Sequence, residues 1–187
     1  MANKVRIIGG EWRSRLLRFE DVPGLRPTPG RVRETLFNWL QYDIAGSRCL
    51  DLYAGSGALG FEAASRGAKE IVQVESDATA CKNLRANAAA LGSNRNRIVE
   101  KEVERFLSGP AEAFDLVFLD PPFAKNLALI TCRLLEQNGW LADPARIYVE
   151  AEAGLALEGL PDNWELLKYK TAGEVAYRLF ARHLQSA

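Results

Sequence analysis

Asp51-Leu52-Tyr53-Ala54-Gly55-Ser56-Gly57-Ala58-Leu59-Gly60 follows a short apolar run and opens a helical pattern. Gly55 and Gly57 permit a tight turn and close approach of a ligand to the backbone, and Gly60 permits a helix to pack closely on a sheet. Glu75 ends the next apolar run, 20 residues beyond Gly55, where a carboxylate can accept hydrogen bonds from a ribose diol. Each part has a plainer alternative: an ordinary strand-to-helix turn for the glycines, a solvated strand-end acid for Glu75.

Working outward, apolar strands are predicted near 48–53, 70–75, 97–102, 114–119 and 146–151, and helices near 58–66, 77–91, 103–108 and 126–138. This alternation predicts an α/β fold, a mostly parallel Rossmann-like sheet with helices on both sides. The tail differs: 164–170 and 175–182 flank Thr171-Ala172-Gly173-Glu174 and predict an antiparallel hairpin on the sheet's edge. At the other end, residues 4–19 predict a small β-hairpin turning at Gly9-Gly10. Thr28 is then expected to cap a helix with Pro29 in its first position. Val32, Leu36, Trp39 and Leu40 give that helix one buried face, leaving Arg31 and Glu34 toward solvent.

A second motif, Asp120-Pro121-Pro122-Phe123, lies directly behind the run 114–119. Two successive prolines fix the geometry of Asp120 and the adjoining carbonyls, so the acceptors converge on one place. An exocyclic amine could donate there while Phe123 stacks on the base. The alternative is a Pro-Pro pair that merely ends a strand. In open parallel sheets ligands bind at the strands' carboxyl ends near the reversal of strand order, so the Gly55 and Asp120 turns are expected to face one pocket.

The glycine triplet also fits a nicotinamide dinucleotide, but Asp51 weighs against it. A pyrophosphate needs positive potential, whereas the sulfonium and ammonium of S-adenosylmethionine are attracted to a carboxylate. The alternative for Asp51 is a carboxylate bonded to backbone amides at a turn or helix end.

The chain has 187 residues, is 48% hydrophobic and carries no formal net charge, which suits one domain with a substantial core. Within that domain residues 1–45 are expected to form an N-terminal extension that meets nucleic acid, read as RNA on the resemblance given below, and 46–187 the cofactor-binding catalytic core. Charge is uneven: residues 1–33 hold eight basic and three acidic side chains, a net +5, which leaves −5 for the rest. Arg6, Arg13, Arg15, Arg18, Arg26, Arg31 and Arg33, with Trp12 and Phe19 interleaved, suit a phosphate backbone. For any single arginine the alternative is a solvated hairpin face. Cys49, Cys81 and Cys132 have no metal-like spacing and are expected to be buried thiols. The single histidine, His183, is expected at the surface and leaves no material for a histidine-based site. No apolar run or leader pattern indicates a membrane or secretion, so cytoplasmic residence is expected.

Together the two motifs resemble the class I S-adenosylmethionine-dependent methyltransferases, with Asp120 to Phe123 similar to the amino-methyltransferase signature. Arg6-Ile7-Ile8-Gly9-Gly10, Arg26-Pro27-Thr28, Val32 through Leu40 and Asn138-Gly139-Trp140-Leu141 resemble more closely the bacterial 16S ribosomal RNA (guanine-N2)-methyltransferases of the small subunit. That resemblance runs over nearly the whole chain. It implies a seven-stranded sheet and methylation of one guanine's amine on a small-subunit particle, by an enzyme expected to be monomeric. It also implies a cofactor site made of Asp51, Tyr53, Gly55, Gly57, Glu75 and Asp120, and catalysis by Asp120, Pro121, Pro122 and Phe123 without a metal. At the third strand's end an Asp or Asn commonly meets the adenine amine. This chain has Glu102 followed by Val103, whose backbone amide could serve the ring. Adenine in DNA or a protein glutamine remain alternative substrates, and a nicotinamide oxidoreductase or a non-enzymatic ribosome-binding factor alternative functions.

Overall fold

In the computed structural model, which describes residues 3–123, 126–156 and 158–184, a two-stranded hairpin and five helices surround a seven-stranded sheet. The hairpin is β1 (Asn3–Arg6) and β2 (Leu16–Phe19), followed by α1 (Gly30–Trp39). The core then runs β3 (Arg48–Leu52), α2 (Ala58–Ser65), β4 (Glu70–Glu75), α3 (Ala78–Leu91), β5 (Asn96–Glu100), α4 (Val103–Leu107), β6 (Phe114–Leu119), α5 (Leu127–Gln137) and β7 (Leu141–Glu152). The antiparallel pair β8 (Trp164–Ala172) and β9 (Val175–Arg182) closes the sheet, in the order β5-β4-β3-β6-β7-β9-β8. The seven strands, the parallel core and the antiparallel tail agree with the sequence-based expectation. β7 begins earlier than the apolar run suggested, because Leu141 pairs with Phe114 before a register shift restores regular pairing at Arg146.

Strand order reverses between β3 and β6, which are parallel neighbours with Leu52 opposite Leu119. Alternation along each strand divides the core in two. Cys49, Leu116, Phe118 and Tyr148 face the side covered by α1, α2, α3 and the hairpin. Leu50, Leu52, Val117, Leu119 and Val149 face α4 and α5. Being buried on both faces, the central strands read as continuous apolar runs.

The hairpin is integral to the first of these cores, and here the structure corrects the sequence. Gly9-Gly10 is not a two-residue turn: beyond the Arg6–Leu16 pair, Ile7 still bonds through its backbone to Arg15 and Ser14, and the chain reverses further on, where Arg13 N–H donates to the Gly10 carbonyl. The amides of Ile8 and Gly9 instead donate to the buried Glu62 carboxylate, and Trp12 N–H to Ser65 Oγ. Gly10 lies so close to α2 that an added Cβ would stand 2.0 Å from the Ser65 carbonyl. A reciprocal pair, Arg18 N–H to Asn87 Oδ1 and Asn87 Nδ2 to the Arg18 carbonyl, fastens β2 to α3.

Trp12 and Phe19 are 5% and 4% exposed. They are core side chains and cannot stack on a base. Arg33 is also buried: its guanidinium donates to the carbonyls of Thr28 and Arg6 and lies 3.7 Å from Glu62. It is a tie between the hairpin, α1 and α2, not a phosphate contact. Thr28 does not cap α1 either; Pro29 holds that position without a side-chain bond, and the Thr28 hydroxyl points instead to Glu150. The three cysteines are free and buried, and His183 is exposed beside Glu165, as expected. Among the described residues no helix is long and apolar enough to cross a membrane.

Candidate active site

The turn after β3 is built on backbone freedom. Gly55 and Gly57 have φ of +55° and +79°, and Tyr53 shares the left-handed region at +57°. A Cβ on Gly57 would stand 2.5 Å from Leu84 and 2.7 Å from Phe61, so glycine is required there by space as well as by φ. A Cβ on Gly60 would meet Gln73 Nε2 at 2.5 Å and Asp51 Oδ2 at 2.7 Å, which measures how closely α2 is drawn onto the sheet.

Asp51 is 2% exposed and lies beneath this turn. Its Oδ2 accepts from Gly60 N–H and from Gln73 Nε2, both at 3.1 Å. One oxygen of Asp51 is thus spent on the turn and the neighbouring strand, and among the described residues no donor reaches Oδ1. Burial pushes its carboxyl up to about 7, against the two hydrogen bonds that favour the ionised form.

Glu75 closes the turn from the next strand. One oxygen accepts Gly55 N–H at 2.8 Å and the other Asp77 N–H at 3.0 Å. Asp77 in turn caps α3 by accepting from Ala80 N–H. Because an ionised carboxylate offers about four acceptor positions, Glu75 keeps capacity for two further donors such as a vicinal diol. Glu102 is exposed at the head of α4, and Val103, the first residue of that helix, has an N–H with no intrahelical acceptor.

The second motif begins immediately beyond the Leu52–Leu119 pair, so Tyr53 and Asp120 leave adjacent strands side by side. Pro121 is buried, Pro122 exposed and Phe123 54% exposed. Among the described residues no backbone amide donates to the Pro121 carbonyl. Asp120 is held well above the usual carboxylate range by burial, then by the charges of Glu150 and Asp51.

Sequence reasoning missed the part played here by five side chains. Glu150, one residue beyond the pairing of Leu119 with Val149, is buried next to Asp120. Its Oε2 accepts from the Thr28 hydroxyl at 3.3 Å and the Tyr148 hydroxyl at 3.2 Å, and Tyr177 pairs with it across β9. Leu25 covers the glycine turn, 3.6 Å from the place of a Cβ on Gly55. The segment from Leu25 to Thr28 thus straps the edge between Gly55 and Glu150, with Arg26 exposed on its outer side. The one available signal was Glu150 itself, an acid at the end of an apolar run.

Of the arginines expected to meet RNA, Arg6, Arg13, Arg15, Arg18, Arg26 and Arg31 are exposed. Arg6 and Arg15 each spend one nitrogen on a backbone carbonyl, Ser14 and Ala90 respectively. A separate shallow depression behind α5, bounded by Ala128, Cys132, Val149, Leu155 and Phe180, is lined by apolar side chains and lacks the polar groups that orient a ligand.

The family profile described as "Conserved hypothetical protein 95" matches residues 5–181. The ribosomal RNA small subunit methyltransferase D of Escherichia coli K12 is 49% identical over 184 residues, covering 98% of this chain and 93% of that protein. The Haemophilus influenzae protein of the same name is 49% identical over 181 residues, covering 95% and 93%. The solved structure of the E. coli protein yhhF superposes with a TM-score of 0.90 at 49% identity, covering 98% of this chain and all of that one. Agreement of this extent over both the hairpin extension and the sheet means that the chain belongs to the Conserved hypothetical protein 95 family, that of the small-subunit ribosomal RNA methyltransferase D.

Proposed function

We propose that this protein transfers a methyl group from S-adenosylmethionine to the exocyclic N2 amine of a guanine in small-subunit ribosomal RNA. The observation that carries this reading is the pairing of Leu52 with Leu119, which sets the glycine turn and the Asp-Pro-Pro-Phe turn side by side at one sheet edge. When bound, the cofactor supplies an electrophilic methyl carbon on a sulfonium.

The Tyr53–Gly57 turn and Glu75 hold that cofactor, Glu75 through the acceptor capacity left beside Gly55 and Asp77. The Val103 amide, with Glu102 beside it, serves the adenine. Asp51 lends negative charge from beneath the turn. Three acids with raised proton affinity, Asp51, Asp120 and Glu150, make this edge receptive to a cation, and a cation in turn favours their ionised forms.

A guanine amine is a poor nucleophile because its lone pair is delocalised into the ring. Asp120 and the Pro121 carbonyl accept hydrogen bonds from its two N–H groups, favouring a tetrahedral nitrogen with a localised lone pair. Pro122 keeps those acceptors fixed, and Phe123, exposed at the rim, stacks on the base. Hydrogen bonds to a charged acceptor contribute about 1.5 to 3 kcal/mol each, against about 1.4 for a tenfold change in rate. Alignment of amine and methyl supplies much of the remainder.

Arg6, Arg13, Arg15, Arg18, Arg26 and Arg31 on the extension contact the RNA backbone, and the protein acts as a cytoplasmic monomer. The test is Asp120→Ala, assayed with labelled cofactor against small-subunit RNA, DNA and protein pools, with cofactor affinity measured separately. Loss of transfer to RNA with cofactor binding retained is expected. Undiminished transfer, or labelling of DNA or protein instead, contradicts the reading.

A further inference from the structure

Asp120 lies just past the end of β6 and Glu150 within the neighbouring parallel strand β7, each one residue beyond the paired Leu119 and Val149. Phe118 and Tyr148 share the core on the α1 side, so alternation turns Asp120 and Glu150 to that same side. Their surroundings differ. Glu150, 7% exposed, accepts from the Thr28 and Tyr148 hydroxyls. Asp120 has no hydrogen-bond donor among the described residues. The other groups facing the pair are Asp51 on β3 and Tyr177 on β9, and among the described residues no lysine or arginine forms an ion pair with either acid.

Two carboxylates set side by side on adjacent strands, Glu150 buried and Asp120 half-buried, cannot both ionise without strong mutual repulsion. We propose that Glu150 is a positioning residue that works through Asp120: in the free protein the two carboxyl groups hold one proton between them, and the pair takes up the proton released by the methylated amine. This rests on the reading of Asp120 given above.

Donors at Glu150 place the resting negative charge there and the proton on Asp120. A cation bound beside the pair drives that proton to solvent, leaving Asp120 ionised to accept from the amine. As the nitrogen forms its bond to the methyl carbon, the carbon–sulfur bond breaks and its electron pair stays on sulfur. The nitrogen then carries one surplus proton, which passes to Asp120. With the neighbouring positive charge consumed, the singly protonated pair is restored.

The experiment is calorimetry of S-adenosylmethionine binding near neutral pH in buffers of different ionisation enthalpy, together with single-turnover rates against pH. Wild-type protein is expected to release about one proton per cofactor bound from this pair. Glu150→Gln removes the repelling charge while burial and Asp51 still act on Asp120, so Asp120 holds its proton less tightly, release falls and the acid limb of the rate profile moves down by about one pH unit or more. Glu150→Asp, which keeps the charge, returns both toward wild type. Asp51→Asn separates any proton released by Asp51. Should Glu150→Gln fail to fold, carbon-13 titration of the wild-type carboxyl groups serves: Asp120 and Glu150 are expected to titrate in two coupled steps. Independent single-step titrations overturn the inference, as do unchanged proton release and an unmoved limb in Glu150→Gln. Asp120→Ala separates the two ideas. Full transfer in that variant sinks the reading of Asp120 itself, whereas lost transfer beside an unaltered Glu150→Gln sinks only the shared proton.

Discussion

The Glu75 carboxylate accepts the Gly55 amide at 2.8 Å, which ties the end of β4 to the glycine turn after β3. A residue placed to meet a ribose is therefore also the brace of the loop that meets the rest of the cofactor.

Glu75→Ala is accordingly expected to weaken S-adenosylmethionine binding by about 10- to 100-fold, the equivalent of one or two hydrogen bonds to a charged acceptor. Calorimetric titration measures it. An effect on turnover with affinity unchanged contradicts the ribose assignment.

The glycine turn also predicts a stability effect. Gly57→Ala places a Cβ 2.5 Å from Leu84 on a backbone with φ of +79°, and is expected to cost about 1 to 3 kcal/mol and lower the melting temperature. Gly92→Ala is the control for φ alone, since its φ is +64° and nothing lies within 4 Å of the added Cβ. Equal losses in the two variants would show that space at Gly57 is unimportant.

The arginines divide by burial. Arg33→Ala removes a side chain bonded to the Thr28 and Arg6 carbonyls and is expected to lower stability, leaving the salt slope of RNA binding unchanged. Arg13→Ala and Arg18→Ala are expected to preserve stability and to reduce that slope, by roughly one for each phosphate that is no longer neutralised. Melting curves and binding across a salt series distinguish the two classes.

The buried acids predict a pH dependence of stability. Asp51 is raised to about 7 by burial, from 3.8, and Asp120 and Glu150 are raised in the same direction. Between those values the folded protein binds more protons than the unfolded chain, so stability falls as pH rises. The melting temperature of the free protein is expected to fall from about pH 4 through about pH 7, and Asp51→Asn to flatten part of that fall. A melting temperature that rises over this interval contradicts the assignment.

Much of this was legible in the sequence because the determinants are local. Period and turn residues located the core helices and strands to within a few residues, and the glycines of the β3–α2 turn announce their own backbone geometry. What stayed hidden depends on partners distant in the chain. Thr28 looks like a helix cap until Glu150 is seen 122 positions away. Trp12 and Arg33 look like nucleic-acid contacts until the hairpin is seen lying on α2. Glu150 itself gains meaning only from the register that sets it beside Asp120. Local rules misplace such residues because burial and pairing, not propensity, decide what they do.

The most direct measurement of the central claim is mass mapping of modified nucleotides in small-subunit RNA from cells with and without this protein. A single N2-methylguanine is expected to vanish in its absence and to return with the wild-type chain but not with Asp120→Ala. An unchanged modification map, or restoration by the Asp120 variant, would contradict the account.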